Sequence, residues 1–257
     1  MRLDGTAAVV TGGSQGIGAA VARALAAEGA AVVVAARTGP KLEAVAAAIR
    51  ATGRRVWAVP CDVTDPASVR ALAEAAVRHL GRADILVNNA GVGHSAPLHR
   101  LTLDDWQRVM AVNATGTFLC TQAFLPGMLE RDWGRIVNVA SMAGLSGARY
   151  IAAYSAAKHA VIGFTRSVAA EVAGTGVTCN AVCPGYVNTE MTRESVERVM
   201  AKTGKSREEA LAAMLGTTSQ RRLIPPEEVA EAILALCERR SGHINGAAIT
   251  IDASAAA

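Results

Sequence analysis

Aromatic residues are scarce in this sequence: they make up 4% of the 257 residues, whereas hydrophobic residues as a whole make up 51%. A buried core therefore has to be built from alanine, valine, leucine and isoleucine. The formal net charge of +4 comes largely from scattered arginines. Because there is no basic run and no nucleic-acid-reading motif, we expect a solvated basic surface and no nucleic-acid partner. The length fits one large α/β domain, which we predict over residues 1–257.

The sequence also lacks paired cysteines, clustered histidines and long apolar runs. Its five cysteines are odd in number, form no C-x-x-C and each lie in or beside an apolar stretch, so buried free thiols in a reducing compartment are expected. The five histidines are not clustered, and no metal site is predicted. No signal-peptide-like region begins the chain, and no apolar run reaches the ~20 residues of a membrane span. We expect a soluble cytoplasmic protein with no membrane partner.

Short apolar runs alternate with alanine-rich helical stretches along the whole chain. The predicted strands are 7–10, 31–35, 56–59, 85–87, 136–140, 177–182 and 248–251. The predicted helices are 17–28, 42–51, 66–80, 103–129, 152–173 and 226–237. The strands are apolar throughout, as expected when helices cover both faces of a parallel sheet. With right-handed crossovers this order predicts an α/β fold with a doubly wound, seven-stranded parallel sheet.

One polar stretch, residues 186–225, interrupts the alternation between the sixth strand and the last helix. Within it, Ser206 and Glu209 match a helix capping box. Open α/β sheets bind their ligands at the carboxyl ends of the strands, where this insertion begins. We interpret residues 186–225 as a helical lid over a substrate. The alternative is a surface segment that has no role in ligand binding.

A glycine-rich turn, "TGGSQGIG", follows the first strand and opens the first helix. Its glycines allow a sharp turn, close approach of backbone N–H groups to a pyrophosphate, and close packing of helix on strand. The spacing is G-x-x-x-G-x-G, so the common dinucleotide fingerprint alone leaves open a glycine turn that binds no ligand. The residues assigned to cofactor binding are Gly12, Ser14, Gln15, Gly16, Ile17 and Gly18.

The second strand ends in Ala36 and Arg37, where NAD sites usually have an acidic residue. No carboxylate is available there to accept a ribose hydroxyl or to repel a phosphate, and a guanidinium can pair with one. The sequence therefore predicts NADP(H) as the cofactor in preference to NAD(H).

The glycine turn, "NNAG" at 88–91, Ser141 and "YSAAK" at 154–158 together resemble the short-chain dehydrogenase/reductase family in its single-domain form. The resemblance runs from about residue 5 to 252 and implies a Rossmann-type fold. The segment from 152 to 191 is most similar to bacterial 3-oxoacyl-thioester and aromatic polyketide ketoreductases. The resemblance adds further cofactor contacts, in order around adenine, ribose and nicotinamide: Asp62, Val63, Asn89, Ala90, Gly91, Pro184, Gly185, Val187 and Thr189.

The same resemblance places four catalytic residues at Asn113, Ser141, Tyr154 and Lys158. A tyrosine with an ordinary pKa near 10 is a poor acid–base group at neutral pH, and a lysine ammonium one helical turn away favours its phenolate. Lys158 is also expected to bind the nicotinamide ribose, so Tyr154 and Lys158 count as cofactor contacts too. Ser141 is expected to donate to the carbonyl oxygen, and the Asn113 backbone to hold a relay water.

The substrate is less well defined by the sequence. Pocket walls are predicted at His94 within 92–96, Met142, Leu145, Tyr186 and Met191, which favour an apolar or acyl group. A ketone on a thioester or polyketide is the first interpretation, with acyl carrier protein or CoA as carrier. The alternatives are a catabolic hydroxyacid or aromatic secondary-alcohol dehydrogenase and a non-catalytic nucleotide-binding regulator.

Two departures from the family pattern bear on partners. The arginine pair that related acyl-carrier reductases use for docking falls here on Asp132 and Thr175, which favours CoA esters, free ketones or another docking face. The chain ends "IDASAAA" where many relatives have a Gly-Gly pair, although the family resemblance implies a homotetramer. Helices 103–129 and 152–173 are expected to form the other subunit interface.

Overall fold

Seven parallel strands form one sheet that crosses the centre of the molecule. They are β1 (Ala7–Thr11), β2 (Ala31–Ala36), β3 (Val56–Pro60), β4 (Ile85–Asn88), β5 (Gly134–Val139), β6 (Val177–Pro184) and β7 (Ala248–Ile251). They lie in the order β3-β2-β1-β4-β5-β6-β7. The computed structural model describes residues 1–252, so the tail "ASAAA" lies outside the described residues. The sheet confirms the predicted fold class, and each predicted strand is within two residues of the observed bounds.

Helices cover both faces of the sheet. They are α1 (Gly16–Ala27), α2 (Gly39–Arg50), α3 (Pro66–Leu80), α4 (Leu103–Met110), α5 (Gly116–Glu130), α6 (Ala152–Glu171), α7 (Glu190–Thr203), α8 (Arg207–Leu215) and α9 (Pro226–Cys237). Among the described residues, no helix combines the length and apolar character that crossing a membrane requires. The five cysteines are free and buried, as predicted.

The core lies in two layers, one on each face of the sheet. Alternate residues of one strand point to opposite faces, and Val10 packs in the layer under α1 and α9 while Val9 packs in the layer under α3 and α5. The central strands β1, β4, β5 and β6 are buried along their whole length, whereas the edge strands β3 and β7 are partly exposed. Continuous apolar runs are therefore explained by burial on both faces.

The predicted helix 103–129 is interrupted, which corrects the sequence interpretation. A π-helical segment, Ala111–Thr115, separates α4 from α5. The side-chain amide of Asn113 donates to the carbonyl of Val109, four residues earlier, at 2.9 Å. A side chain that takes a carbonyl in this way competes with the regular backbone ladder, and such π-bulges occur frequently at functional sites.

The insertion 186–225 is helical, as predicted. Its two helices, α7 and α8, are separated at Gly204, whose left-handed backbone (φ 69°) ends α7. The predicted capping box is present: Ser206 and Glu209 each bond the other's backbone N–H. The insertion starts at the carboxyl end of β6, on the same edge of the sheet as the point where strand order reverses between β1 and β4. Open α/β sheets bind ligands in a crevice at such a point.

Candidate active site

A cavity of about 360 Å³ opens at the carboxyl ends of the strands. It brings together nearly all predicted cofactor and catalytic residues, which come from separate parts of the chain. The predicted residues that line it are Gly12, Ser14, Gln15, Gly16, Ile17, Arg37, Asp62, Val63, Asn89, Ala90, Gly91, Asn113, Ser141, Tyr154, Lys158, Pro184, Gly185, Val187, Thr189 and Met191. One cavity therefore contains both the glycine turn and the Tyr154–Lys158 pair.

The glycine turn is built around Asn89 at the end of β4. The Asn89 amide donates to the carbonyls of Thr11 and Gly12 at 3.0 and 3.1 Å. A Cβ on Gly12 would lie 2.7 Å from that amide nitrogen, and the left-handed backbone of Gly12 (φ +64°) also favours glycine. A Cβ on Gly18 would collide with the Gly12 carbonyl and the Asn89 amide, so the predicted close packing at Gly18 is against the turn itself.

The residues around the turn fit a nicotinamide dinucleotide. Gln15 caps α1 in an extended conformation without a side-chain hydrogen bond, and the first turn of α1 has no acidic residue. Gly16 and Ile17, in the first turn of α1, line the cavity, so the free N–H groups of this turn provide an anion site there. Arg37 is exposed at the end of β2, and its charge helps to lower the pKa of Asp62, after the larger effect of the Thr64 N–H and hydroxyl that bond this carboxylate.

Asn113 uses its whole side chain to hold the loop after β4. Its Oδ1 accepts the Val92 N–H at 3.2 Å, and its Nδ2 donates to the Val92 carbonyl at 3.0 Å. A Cβ on Gly91 would lie 2.8 Å from Asn113 Oδ1, so glycine is needed for this approach. Asn113 is 1% exposed, and its backbone carbonyl accepts the Thr117 hydroxyl at 2.8 Å. The side chain is thus a brace for the cavity wall.

Ser141, Tyr154 and Lys158 come together because a short 3₁₀ turn, Met142–Gly144, packs against α6. Ser141 caps this turn, and its hydroxyl oxygen accepts the Ala143 N–H at 3.1 Å. A Cβ on Gly144 would lie 2.7 Å from the Lys158 carbonyl, so only glycine allows this contact. The Lys158 ammonium donates to the Val139 carbonyl at 2.7 Å and lies 5.6 Å from the centre of the Tyr154 ring.

Burial dominates the electrostatics of this pair. It lowers the pKa of Lys158 to about 8, because an ammonium group is poorly solvated there. It also raises the pKa of Tyr154, and a side-chain hydrogen bond with Ser141 acts in the opposite direction. The sequence predicts that the Lys158 charge lowers the pKa of Tyr154. In this structure the net shift of the Tyr154 pKa is upward because burial is its largest cause, and the ammonium nitrogen is held by the Val139 carbonyl.

Of the five predicted substrate residues, Met191 lines this cavity. Tyr186 packs instead against the apolar cluster of the lid helices. Met142 begins the 3₁₀ turn and Leu145, which is 39% exposed, follows it, but neither residue lines the cavity. His94 lies 3.5 Å from the Asp105 carboxylate, near the start of α4. Outside this set, Tyr150, the other tyrosine near the pair, is 57% exposed and does not line the cavity.

Two residues that sequence reasoning missed help to form the site. The Thr11 hydroxyl accepts the N–H groups of Asn89 and Ala90, both at 3.1 Å, and so fixes the exit of β4. Lys41 lines the cavity four residues after Arg37. Both could have been found in the sequence: Thr11 as a threonine at the end of the first strand, and Lys41 as a second basic residue shortly after Arg37.

Comparison with known proteins is consistent with this geometry. A family model described as short chain dehydrogenase matches residues 6–199. A D-beta-hydroxybutyrate dehydrogenase of Cupriavidus necator is 37% identical over 251 residues, covering 97% of each chain. A 3-oxoacyl-[acyl-carrier-protein] reductase of Synechocystis is 47% identical over 191 residues, covering 74% of this chain and 77% of its own. The crystal structure of an actinorhodin polyketide ketoreductase variant with NADPH has a TM-score of 0.92 and 38% identity, covering 96% and 95% of the two chains.

Proposed function

The chain belongs to the short-chain dehydrogenase family, and on that premise we propose that it is an NADP(H)-dependent ketoreductase acting on a 3-oxoacyl thioester or polyketide ketone. The observation that carries the proposal is the shared cavity: the glycine turn lines it together with Ser141, Tyr154 and Lys158. A nucleotide site beside a tyrosine acid and a lysine cation is what hydride transfer to a ketone requires.

The preference for NADP(H) is supported by two basic side chains. Arg37 at the end of β2 and Lys41 in the first turn of α2 both line the cavity, and β2 ends without a carboxylate. A guanidinium pairs with a ribose 2′-phosphate, whereas an acidic residue would repel it. The related actinorhodin ketoreductase structure contains NADPH.

In the proposed reaction a C=O bond becomes an alcohol. Nicotinamide bound in this cavity would supply the hydride that reduces the carbonyl carbon. Tyr154 gives its phenolic proton to the carbonyl oxygen, and the Ser141 hydroxyl donates a hydrogen bond to that oxygen as charge builds on it. Lys158 binds ribose hydroxyls and places its positive charge beside the phenolate that Tyr154 becomes. The Asn113 side chain keeps the loop at Val92 in place. By the family resemblance, its backbone would hold a water that returns a proton to Tyr154 through Lys158.

Tyr154 needs Lys158 and its other neighbours to reach a pKa suited to acid catalysis, because the free energy required is large. Lowering the pKa of a tyrosine by three units takes about 4 kcal/mol. Burial alone acts in the opposite direction at Tyr154. The Ser141 hydrogen bond and the Lys158 ammonium are the favourable contributions in the reduction, and each is stronger in a partly dry site. In the reverse, alcohol-to-ketone direction, the positive charge of an oxidised nicotinamide would add to them.

A thioester or polyketide substrate is supported by the relatives: the names of the 3-oxoacyl-[acyl-carrier-protein] and actinorhodin polyketide reductases state substrates of this class. Two arginines of residues 186–225 are already paired with carboxylates, Arg193 with Glu190 and Arg222 with Glu228, and so do not favour a phosphate-bearing carrier at these two positions. Asp132 and Thr175, at the positions of the docking arginines, stabilise a turn: Asp132 accepts the Gly176 N–H and Thr175 donates to the Val172 carbonyl. We therefore favour CoA esters or free ketones over carrier-protein docking at that position.

A second function, catabolic oxidation of a hydroxyacid, is supported by the similarity to a D-beta-hydroxybutyrate dehydrogenase across 97% of both chains. A non-catalytic nucleotide-binding regulator is disfavoured, because Tyr154 and Lys158 are both present and both line the cavity. Cofactor preference separates the two enzymes, since reductases commonly draw on NADPH and catabolic dehydrogenases on NAD.

The test is a substrate panel with purified protein. NADPH oxidation is followed at saturating cofactor with acetoacetyl-CoA, a bicyclic ketone and a phenyl ketone, and 3-hydroxybutyrate with NAD serves as the reverse assay. The proposal expects turnover of acetoacetyl-CoA or the bicyclic ketone with NADPH. If 3-hydroxybutyrate with NAD is the only combination that turns over, the catabolic function replaces the ketoreductase proposal. If the protein binds NADPH but turns over no substrate of the panel, the regulator is favoured.

We also propose a homotetramer. Large apolar side chains are exposed on the helices expected at the interface: Leu103 at 67%, Trp106 at 37% and Phe118 at 41%. An exposed apolar surface of this kind is usually covered by a partner. Light scattering at micromolar concentration should give four times the monomer mass, and a monomer would refute the assembly.

A further inference from the structure

Gln220 lies between α8 and α9, outside the cavity lining, and is 5% exposed. Its carboxamide bonds both backbone groups of Tyr186. The Tyr186 N–H donates to Oε1 at 2.8 Å, and Nε2 donates to the Tyr186 carbonyl at 2.7 Å. Nε2 also donates to the Arg222 carbonyl. The orientation of the amide is fixed by these partners, because a backbone N–H can only donate and a carbonyl can only accept.

The residues on either side of Tyr186 are tied to this contact. A Cβ on Gly185 would collide with Gln220 Oε1, so the two residues fit only because position 185 is glycine. After Tyr186, Val187 pairs with Ile224 in an isolated parallel bridge. The Ile224 N–H donates to the Tyr186 carbonyl at 3.0 Å, and the Asn188 N–H donates to the Ile224 carbonyl at 2.9 Å. Gln220 therefore anchors the segment 186–188 beside Ile224 at this isolated bridge.

This anchor connects two parts of the site. Gly185, Val187 and Thr189 line the cavity on one side. The Tyr186 ring packs on the other side against the lid cluster, which contains Val196 and Met214. A shift of the Tyr186 backbone would move the cavity wall and the base of the lid together.

We propose that Gln220 is a positioning residue that holds the wall formed by residues 184–189 at the distance the nicotinamide end of the cofactor requires. This inference rests on the proposed function, because it takes that wall to contact the cofactor. Loss of the carboxamide would leave the partly buried Tyr186 N–H without its side-chain partner and remove one of the two hydrogen bonds to the Tyr186 carbonyl. A displacement of about 1 Å in a binding wall is enough for a large loss of affinity or rate.

The first test replaces Gln220 with leucine, which has similar size and no hydrogen bonds. We expect the Kd of NADPH, measured by fluorescence titration, to rise about tenfold, with KM for NADPH rising more than kcat falls. Thr217→Val is the matched control, because it removes a side-chain hydrogen bond (to the Met214 carbonyl, 2.7 Å) in the same connection without touching Tyr186. Wild-type NADPH affinity in folded Gln220→Leu would overturn the proposal.

The second test is conservative rescue by Gln220→Glu. A protonated carboxyl group can accept from the Tyr186 N–H and donate to its carbonyl, whereas an ionised one cannot donate and faces two carbonyl oxygens. Burial against two carbonyl oxygens raises the pKa of this carboxyl and so favours its protonated form. We expect NADPH affinity at pH 5.5 to be closer to wild type than that of Gln220→Leu. The affinity should fall relative to wild type as the pH rises and the carboxyl ionises. A Gln220→Glu protein that binds as weakly as Gln220→Leu at pH 5.5 would contradict the role assigned to the two bonds, and this variant keeps the test open if Gln220→Leu does not fold.

Amide hydrogen exchange gives a readout that does not depend on the cofactor. The Tyr186 and Asn188 amides should exchange about tenfold faster or more in Gln220→Leu than in Thr217→Val. If wild-type protein does not bind NADPH, the proposed function fails while this measurement still tests the anchor. Unchanged exchange at both amides would show that Gln220 does not hold the wall.

Discussion

The Lys158 ammonium nitrogen lies 2.7 Å from the carbonyl oxygen of Val139, the last residue of β5. This hydrogen bond holds a 4% exposed cation at the edge of the cavity, beside the Tyr154 ring. One carbonyl only partly replaces the water that an ammonium group loses on burial, so the pKa of Lys158 falls to about 8. The proposed catalytic cation is therefore present at a cost to the stability of the fold.

Lys158→Met is expected to stabilise the protein while abolishing activity. Burial lowers the pKa of Lys158 from 10.5 to about 8, which corresponds to about 3 kcal/mol of destabilisation while the group is charged. The lost bond to Val139 offsets about 1 kcal/mol. We expect the free energy of unfolding at pH 7, measured by urea denaturation, to increase by about 1–2 kcal/mol.

The pH dependence of the difference in unfolding free energy between Lys158→Met and wild type is an independent test of the lowered Lys158 pKa. Below pH 8 Lys158 is protonated in both folded and unfolded chains, so the full penalty applies. Between pH 8 and 10.5 the unfolded chain binds more protons than the folded one, and wild-type stability from this group rises with pH. The advantage of Lys158→Met should therefore shrink across that window, while Lys202→Met, an exposed control, shows no such trend. A constant difference from pH 7 to 10 would argue against a depressed lysine pKa.

Tyr154→Phe is expected to lower kcat by about 10²- to 10⁴-fold, because general acid catalysis contributes that much to proton transfer. The ring and its packing are kept, so thermal unfolding should remain near the wild-type temperature. The measurement is NADPH oxidation with the best ketone of the panel. Tyr150→Phe is the control, since Tyr150 is 57% exposed and outside the cavity. Wild-type turnover in Tyr154→Phe would refute the assigned role.

Arg37→Ser is expected to reduce kcat/KM for NADPH by about 10- to 100-fold and to leave NADH kinetics nearly unchanged. A hydrogen bond from a guanidinium to a phosphate contributes about 1.5–3 kcal/mol. NADH has no 2′-phosphate, so the substitution removes no such hydrogen bond from the NADH complex. Arg70→Ser, an exposed arginine on α3, should change neither value. A wild-type enzyme that uses NADH at least as efficiently as NADPH would make the cofactor prediction wrong.

Gly18→Ala and Gly39→Ala should differ in their effects. A Cβ at Gly18 would collide with the Gly12 carbonyl and the Asn89 amide, so the turn has to move and NADPH binding should weaken at least tenfold. A Cβ at Gly39, which begins α2, meets nothing within 4 Å except its chain neighbours, but Pro40 follows it and disfavours a helical backbone at a residue with a Cβ. This clash offsets the gain from a stiffer unfolded chain, so Gly39→Ala should change the free energy of unfolding by no more than about 0.5 kcal/mol. NADPH titration and urea denaturation of both variants provide the check, and normal binding in Gly18→Ala would show that the turn relaxes.

The order of strands and helices was predictable from the sequence because burial on both sheet faces forces continuous apolar strands, and glycine and proline mark their ends. The glycine turn and the YSAAK segment were predictable for the same kind of reason: backbone geometry at Gly12 and the one-turn spacing of Tyr154 and Lys158 are local properties. Features that depend only on neighbouring residues in the chain can be recognised in the sequence.

Contacts between distant segments were decided only by the tertiary structure. The π segment at Asn113 depends on the Val92 loop, which lies 21 residues away. The pKa of Lys158 depends on burial and on the Val139 carbonyl, and the Tyr186 backbone depends on Gln220, 34 residues later. Desolvation and hydrogen bonding act through distance in space, so neither the strength of an acid nor the partner of a backbone group can be obtained from residue order alone.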